Sequence, residues 1–310
     1  MSQVALRRTP TVFSLVLVLA AAGPSNWPAR AQEPVAPAPS PAATSDEVVL
    51  VGAGDIAKCA ILGGAVATAR LLDRIPGTVF TVGDHAYEDG TTKQFAECYT
   101  PTWGRHKART RPSPGNHDLH TDNGRPYYEY FGDNAGPAGL GYYSYNLGAW
   151  HIIALNSAIA IDARSPQGRW LKEDLEANPS DCILAYWHAP LFSSGPHGNG
   201  PELLDVWKML YAAGAELVLN GHDHVYERFA LQNPSGKPDP ERGIRQIIVG
   251  TGGGGVYKFK KTAANSEVRD NSTYGVLKVT LGPGRYSWEF FPTVSQGFTD
   301  AGSGVCTPRP

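Results

Sequence analysis

The sequence predicts an α/β fold: a four-layer α/β/β/α sandwich with two mixed sheets and helices on the outside. Three observations carry this expectation. Apolar runs of strand length alternate with segments whose apolar residues recur at helical spacing. Several of those runs end abruptly in a short polar motif, which suits parallel strands that deliver side chains to one carboxyl edge. Near the middle and in the last third, alternating segments separated by tight turns read as antiparallel strands.

In chain order, Val48–Val51 is the first expected strand and ends at Gly54-Asp55. Residues 62–75 follow with helical spacing and stop before Pro76-Gly77. Thr78–Val82 is a β-branched run closed by Gly83-Asp84. Residues 91–99 form a short helix candidate, and a proline-bounded extended segment from Arg111 leads into Gly115-Asn116-His117-Asp118. Residues 141–148 and 150–157 pair as an antiparallel hairpin across Gly148-Ala149. Ser165 caps a helix that has Pro166 at its first position and runs to Leu175. The strand 182–187 ends at His188, a helix spans 201–213, and the strand 216–219 ends at Asn220-Gly221-His222-Asp223-His224. The runs 245–249, 275–281 and 285–291 are expected as antiparallel strands.

Around this domain the chain divides simply. Arg7-Arg8, an apolar stretch over 12–22 and Ala29-Arg30-Ala31 read as a signal peptide over 1–31, and its core is too short to span a bilayer. Residues 32–45 are a Pro/Ala-rich linker, and 46–310 form the folded domain. This implies a secreted or periplasmic protein with no stable membrane span once the signal is removed. Export makes Cys59, Cys98, Cys182 and Cys306 disulfide candidates. Cys59 and Cys98 each follow a carboxylate-bearing strand end, so that pair is favoured, with Cys182–Cys306 as the remainder. The net charge of −2 gives no electrostatic case for a nucleic-acid partner.

Five strand ends carry one kind of chemistry: Asp55, Asp84 with Tyr87, Asn116 with His117, His188, and His222 with His224. Each alone is an ordinary turn, cap or structural residue. Together they offer carboxylates, imidazoles, an amide oxygen and a phenol, which is a set of metal donors. Seven ligands are too many for one ion and suit two ions sharing a bridging carboxylate, a dinuclear metal site at the strand C-terminal edge. His222 and His224 would share a face on a regular strand; on a tight loop at Gly221 they would diverge toward different ions.

The ordered motifs GDIA, GDHAY, GNHD, AYWH and GHDH resemble those of the calcineurin-like metallophosphoesterases, and specifically the purple acid phosphatase branch. The resemblance runs from Val48 to about Phe291. It implies Fe(III) at Asp55, Asp84, Tyr87 and His224, and a divalent ion (Zn, Mn or Fe) at Asp84, Asn116, His188 and His222, with Asp84 as bridge. Ala57 stands where the family has Gly or a ligating His, so Tyr87 must complete the first site. Zinc or manganese beside the phenolate is the alternative to iron.

The implied activity is hydrolysis of small phosphate esters, monoesters first and diesters second, by a metal-bound hydroxide. No Gly-x-Ser-x-Gly elbow suggests a protein nucleophile. His117 is assigned as general acid or phosphate binder, and Asp118 as its orienter. His197, in the loop after His188, matches the spacing of a substrate-contacting His in the family. His85 has no assigned role, and Gly250–Gly255 reads as a tight loop near the site rather than a dinucleotide motif. The competing reading is a non-catalytic exported protein that keeps the metals for structure or adhesion.

Overall fold

The computed structural model describes residues 46–307. The expected signal peptide and linker lie outside the described residues. The strands in chain order are β1 (Val48–Ala53), β2 (Ala57–Lys58), β3 (Thr78–Val82), β4 (Ala86–Tyr87) and β5 (Thr110–Ser113). Then come β6 (Tyr143–Leu147), β7 (Trp150–Ala154), β8 (Ile183–Tyr186), β9 (Leu217–Asn220) and β10 (Tyr226–Phe229). The last are β11 (Arg245–Val249), β12 (Ser266–Asp270), β13 (Gly275–Gly282), β14 (Arg285–Pro292) and β15 (Ala301–Val305). The α-helices are α1 (Gly63–Leu72), α2 (Thr92–Gln94), α3 (Arg125–Phe131), α4 (Pro166–Ala177) and α5 (Leu204–Ala212).

Two mixed sheets result, one ordered β15-β14-β13-β1-β3-β5 and the other β12-β10-β11-β9-β8-β7-β6. In the first, β1, β3 and β5 are parallel and β13 pairs antiparallel to β1. In the second, β7, β8, β9 and β11 are parallel. β11 is therefore a correction: it runs parallel to β9 and antiparallel only to β10. Pro112 sits in β5, the edge strand of its sheet, where its missing N–H costs no ladder bond.

Strand alternation divides the core. Ile152, Leu184 and Leu219 join the cluster that includes the first sheet, while Ile153, Ala185 and Val218 join Leu171 of α4 and Trp207 of α5. Phe80 against Tyr186 and Phe290 against Tyr226 close the space between the sheets. Helix α1 brings Ala65, Ala69 and Leu72 to the first sheet. Ser165 caps α4 as expected, its side chain accepting the Gly168 N–H at 2.9 Å. Both disulfides form in the expected pairing, Cys59–Cys98 and Cys182–Cys306.

One buried acid near the second disulfide sets a pH dependence. Glu216 is 5% exposed and accepts the Thr307 N–H. Burial, partly opposed by that hydrogen bond, pushes its carboxyl up to about 7 from an unfolded value of 4.5. The folded chain keeps a proton that the unfolded chain sheds, so stability falls as pH rises from about 4.5 to 7. Discounted for solvent access, the loss is about 1–2 kcal/mol. Glu216→Gln is expected to flatten this slope, read from melting temperature between pH 4.5 and 8. An unchanged slope would show that the dependence arises elsewhere.

Candidate metal centre

The carboxyl ends of β1, β3, β5, β8 and β9 meet at one edge. The Gly221 N–H donates to His188 O at 2.9 Å, and the Asp55 N–H to Gly83 O at 3.0 Å. Asp55, Asp84 and His222 have left-handed φ values of 59°, 54° and 70°. Such values are rare outside glycine and cluster at functional sites. Here they turn each side chain off its strand and into the centre.

Two donor groups form. In the first, the Tyr87 hydroxyl lies 2.8 Å from Asp55 Oδ1 and 3.0 Å from His224 Nε2. His224 Nε2 is 3.2 Å from Asp55 Oδ1. In the second, His188 Nε2 is 3.1 Å from both Asn116 Oδ1 and His222 Nδ1, and 3.2 Å from Asp84 Oδ2. Donor atoms of Asp55, Asp84 and His188 all lie within 4.8 Å of one another, which joins the two groups. His222 and His224 thus diverge, one into each group.

The donor set fits cations. The His188 Nδ1–H donates to Val82 O at 2.7 Å, leaving a lone pair on Nε2 when the ring is neutral. That lone pair faces an amide oxygen, a carboxylate oxygen and a second imidazole nitrogen, an assembly of acceptors that a cation would satisfy. Burial alone would raise the Asp55 and Asp84 carboxyls, but His224 and His188 outweigh it and hold both below the usual range. Burial tends to lower His188, yet Asp84 and Asp55 push it up to about 10. Burial, with His188 and His197 nearby, takes His222 down to about 4, so its ring stays neutral and able to ligate. The Tyr87 phenol is held well above its usual value, by burial first and then by the two carboxylates.

His117 stands at the rim. Its Nδ1–H faces Glu88 O, its ring lies 4.7 Å from that of Tyr87, and its Nε2 is 3.9 Å from Asp84 Oδ2. Asp118 is a correction. Its carboxylate does not reach His117; it accepts from the His85 N–H at 3.0 Å, pairs with His85 Nδ1 at 2.8 Å and accepts the Gly115 N–H at 2.9 Å. His85 is fully buried, with Nε2 2.6 Å from Thr81 Oγ1 and Phe131 4.8 Å away. His85 and Asp118 therefore tie the loop after β3 to the loop after β5.

The glycine loop seats the centre rather than binding a nucleotide. The Gly252 N–H donates to Gly54 O at 2.8 Å and the Gly254 N–H to Asp55 O at 2.7 Å. A Cβ at Gly254 would fall 2.7 Å from the Tyr87 ring and 2.9 Å from Asp55 O, so no other residue permits that approach. Beyond the loop, Tyr257 stacks on the His224 ring at 3.9 Å and 12°. Nothing in the sequence around Tyr257 marked it. Asp223, which also escaped notice, lies between two expected ligands and binds the backbone and ring of His197.

This geometry defines the class: a two-sheet α/β fold with a buried Asp55, Asp84 and His188 group of metal donors at its strand edge. The family profile of calcineurin-like phosphoesterases matches residues 50–226, and the chain belongs to that family. Among its relatives is purple acid phosphatase 15 of Arabidopsis thaliana, 27% identical over 52% of this chain and 37% of that protein. Purple acid phosphatase 21 of the same plant is 29% identical over 70% of this chain and 55% of that protein. The chain thus spans between about a third and a half of the curated relatives it matches. The fold matches purple acid phosphatase PPD1 from yellow lupin (Lupinus luteus) with a TM-score of 0.68, at 17% identity, over 85% of this chain and 55% of that one. It also matches GAP50, the anchor in the inner membrane complex of Plasmodium, with a TM-score of 0.62 at 13% identity, over 85% of this chain and 90% of that one.

Proposed function

We propose that this chain is an exported dinuclear phosphohydrolase acting on small phosphate monoesters, with diesters as the second class. One observation carries the reading: two buried donor groups meet at a single strand edge, with donor atoms of Asp55, Asp84 and His188 within 4.8 Å of one another. Bound there, two cations would supply Lewis-acid stabilisation of the phosphoryl oxygens and a water acidic enough to attack. Asp55, Tyr87 and His224 would hold the first ion, Asn116, His188 and His222 the second, and Asp84 both.

His117 would act on the leaving group. The Glu88 carbonyl takes its Nδ1–H and turns Nε2 toward the centre, as the nitrogen that would pass a proton to a departing oxygen. His197 lies with its ring 4.0 Å from that of His222 and would contact a phosphoryl oxygen. Two disulfides support a site of action outside the reducing cytoplasm. No helix among the described residues is long and apolar enough to cross a membrane.

Metal analysis and a visible spectrum on protein purified without chelator, followed by monoester and diester assays, test the reading. Two metal equivalents and monoester turnover are expected; full activity in metal-free protein would overturn it. The resemblance to the purple acid phosphatases makes the first ion ferric in this reading. The phenol of Tyr87 lies against Asp55 and His224, where it would be a phenolate donor to that ion, as the family likeness implies. Tyr87→Phe is then expected to abolish a visible tyrosinate charge-transfer band; a colourless active wild type would assign zinc or manganese instead. The fold likeness to GAP50, an anchor, keeps a non-catalytic role as the second reading. Fully loaded protein inert toward every ester would favour it.

A further inference from the structure

We propose that Asp223 is a positioning residue that fixes the imidazole of His197 over the metal centre. The inference rests on the phosphohydrolase reading for what His197 does there, and on geometry for how it is held. Asp223 lies between His222 and His224 in sequence, yet its carboxylate binds Ser193 and His197 rather than either donor group. It is fully buried. Its Oδ1 accepts the His197 backbone N–H at 3.1 Å and pairs with His197 Nδ1 at 2.8 Å. Its Oδ2 accepts the Ser193 hydroxyl. The loop wraps so closely that a Cβ at Gly195 would fall 2.2 Å from the Asp223 carboxyl carbon.

The consequence is directional. An acceptor on Nδ1 selects the Nδ1–H tautomer and leaves Nε2 as the working nitrogen. The His197 ring is then packed 4.0 Å from the His222 ring at an interplanar angle of 30°, with Tyr257 5.7 Å away. The same dipeptide step that delivers a proposed ligand to each ion thus also orients a substrate contact. The loop has independent anchors: the Ser194 N–H donates to Glu227 Oε2 at 2.9 Å, and Lys260 Nζ donates to Pro196 O at 2.7 Å. Removing the Asp223 carboxylate therefore frees the ring while the loop stays tethered.

The test is a double-mutant cycle on the full chain with His197→Ala, Asp223→Ala and the pair, supported by Asp223→Asn. Two readouts are taken: kcat/KM on a phosphate monoester, and affinity for inorganic phosphate by calorimetry. Asp223→Ala is expected to lower both by roughly 10- to 100-fold, the scale of a misplaced catalytic group. It should add little in the His197→Ala background. Asn keeps the Oδ1 acceptor, so Asp223→Asn should recover most of the loss. Nitrogen-15 spectra of histidine-labelled protein should show an Nδ1-protonated His197 in wild type and Asn variants but a mixed tautomer in the Ala variant. Additive losses in the cycle, or a tautomer unmoved by Asp223→Ala, would overturn the proposal while leaving hydrolysis intact. Coupling in phosphate affinity and tautomer, with no turnover of any ester, would instead sink the hydrolase reading and keep the positioning role.

Discussion

Asp84→Asn is expected to lower turnover by about 10³-fold or more, because it removes the carboxylate proposed to bridge the two ions. Lewis-acid stabilisation of a phosphoryl transition state contributes several kcal/mol, and each 1.36 kcal/mol is a factor of ten in rate. Asn keeps an oxygen for the His117 N–H, which now donates to Asp84 Oδ1 at 3.0 Å, so the local backbone has no reason to move. What it removes is the negative charge facing His188, 3.2 Å away, and any chance of bridging. His222→Ala should act through the second ion alone and leave the first bound. Metal content, circular dichroism and kcat measured together separate these outcomes. A folded Asp84→Asn protein that keeps two metal equivalents and near-normal kcat would refute the bridge.

Much of this centre was legible because it is built on buried parallel strands. Val79, Phe80, Thr81 and Val82 are all buried in β3, and the run ends where the sheet ends, at Gly83-Asp84. The same reasoning located β1, β8 and β9. Side-chain direction after the strand was not legible. Asp118 follows His117 in sequence, yet in the 3₁₀ turn His117–Leu119 neighbouring side chains point apart, and Asp118 serves His85. The parting of His222 from His224, expected for a tight loop at Gly221, comes with a left-handed φ at His222. Strand β15 was missed because Ala-Gly-Ser-Gly-Val carries no β-forming signal. Its glycines make room instead: a Cβ at Gly302 would fall 2.3 Å from the Trp288 ring and one at Gly304 2.4 Å from Tyr286. Such aromatic cover over strand glycines is a tertiary effect. The direction of β11 failed for a related reason, since an apolar run does not state which neighbour it will join.

Gly115→Ala tests whether the centre depends on backbone closeness as strongly as on its ligands. Gly115 needs no unusual φ, so space alone is at issue. A Cβ there would lie 2.1 Å from Asp84 Oδ1 and 2.4 Å from Asp84 N, well inside any real contact. Neither atom belongs to a flexible chain end: Asp84 N is backbone, and Asp84 Oδ1 is held by the His117 N–H. The ends of β3 and β5 must separate, carrying Asn116 away from Asp84 and straining the Gly115 N–H bond to Asp118. Overpacking of this kind costs about 1–3 kcal/mol. A shift near 1 Å at the reacting groups costs about 10²-fold in rate. The expected result is a melting temperature lower by a few degrees, turnover lower by about 10²-fold, and partial loss of the second ion with the first retained. Gly63→Ala supplies the contrast, since a Cβ at that position at the start of α1 meets nothing within 4 Å. It should match or slightly exceed wild-type stability and leave metal content unchanged. If Gly115→Ala behaves like Gly63→Ala, the two strand ends are not packed as closely as described, and the case for Asp84 as a fixed bridge weakens with them.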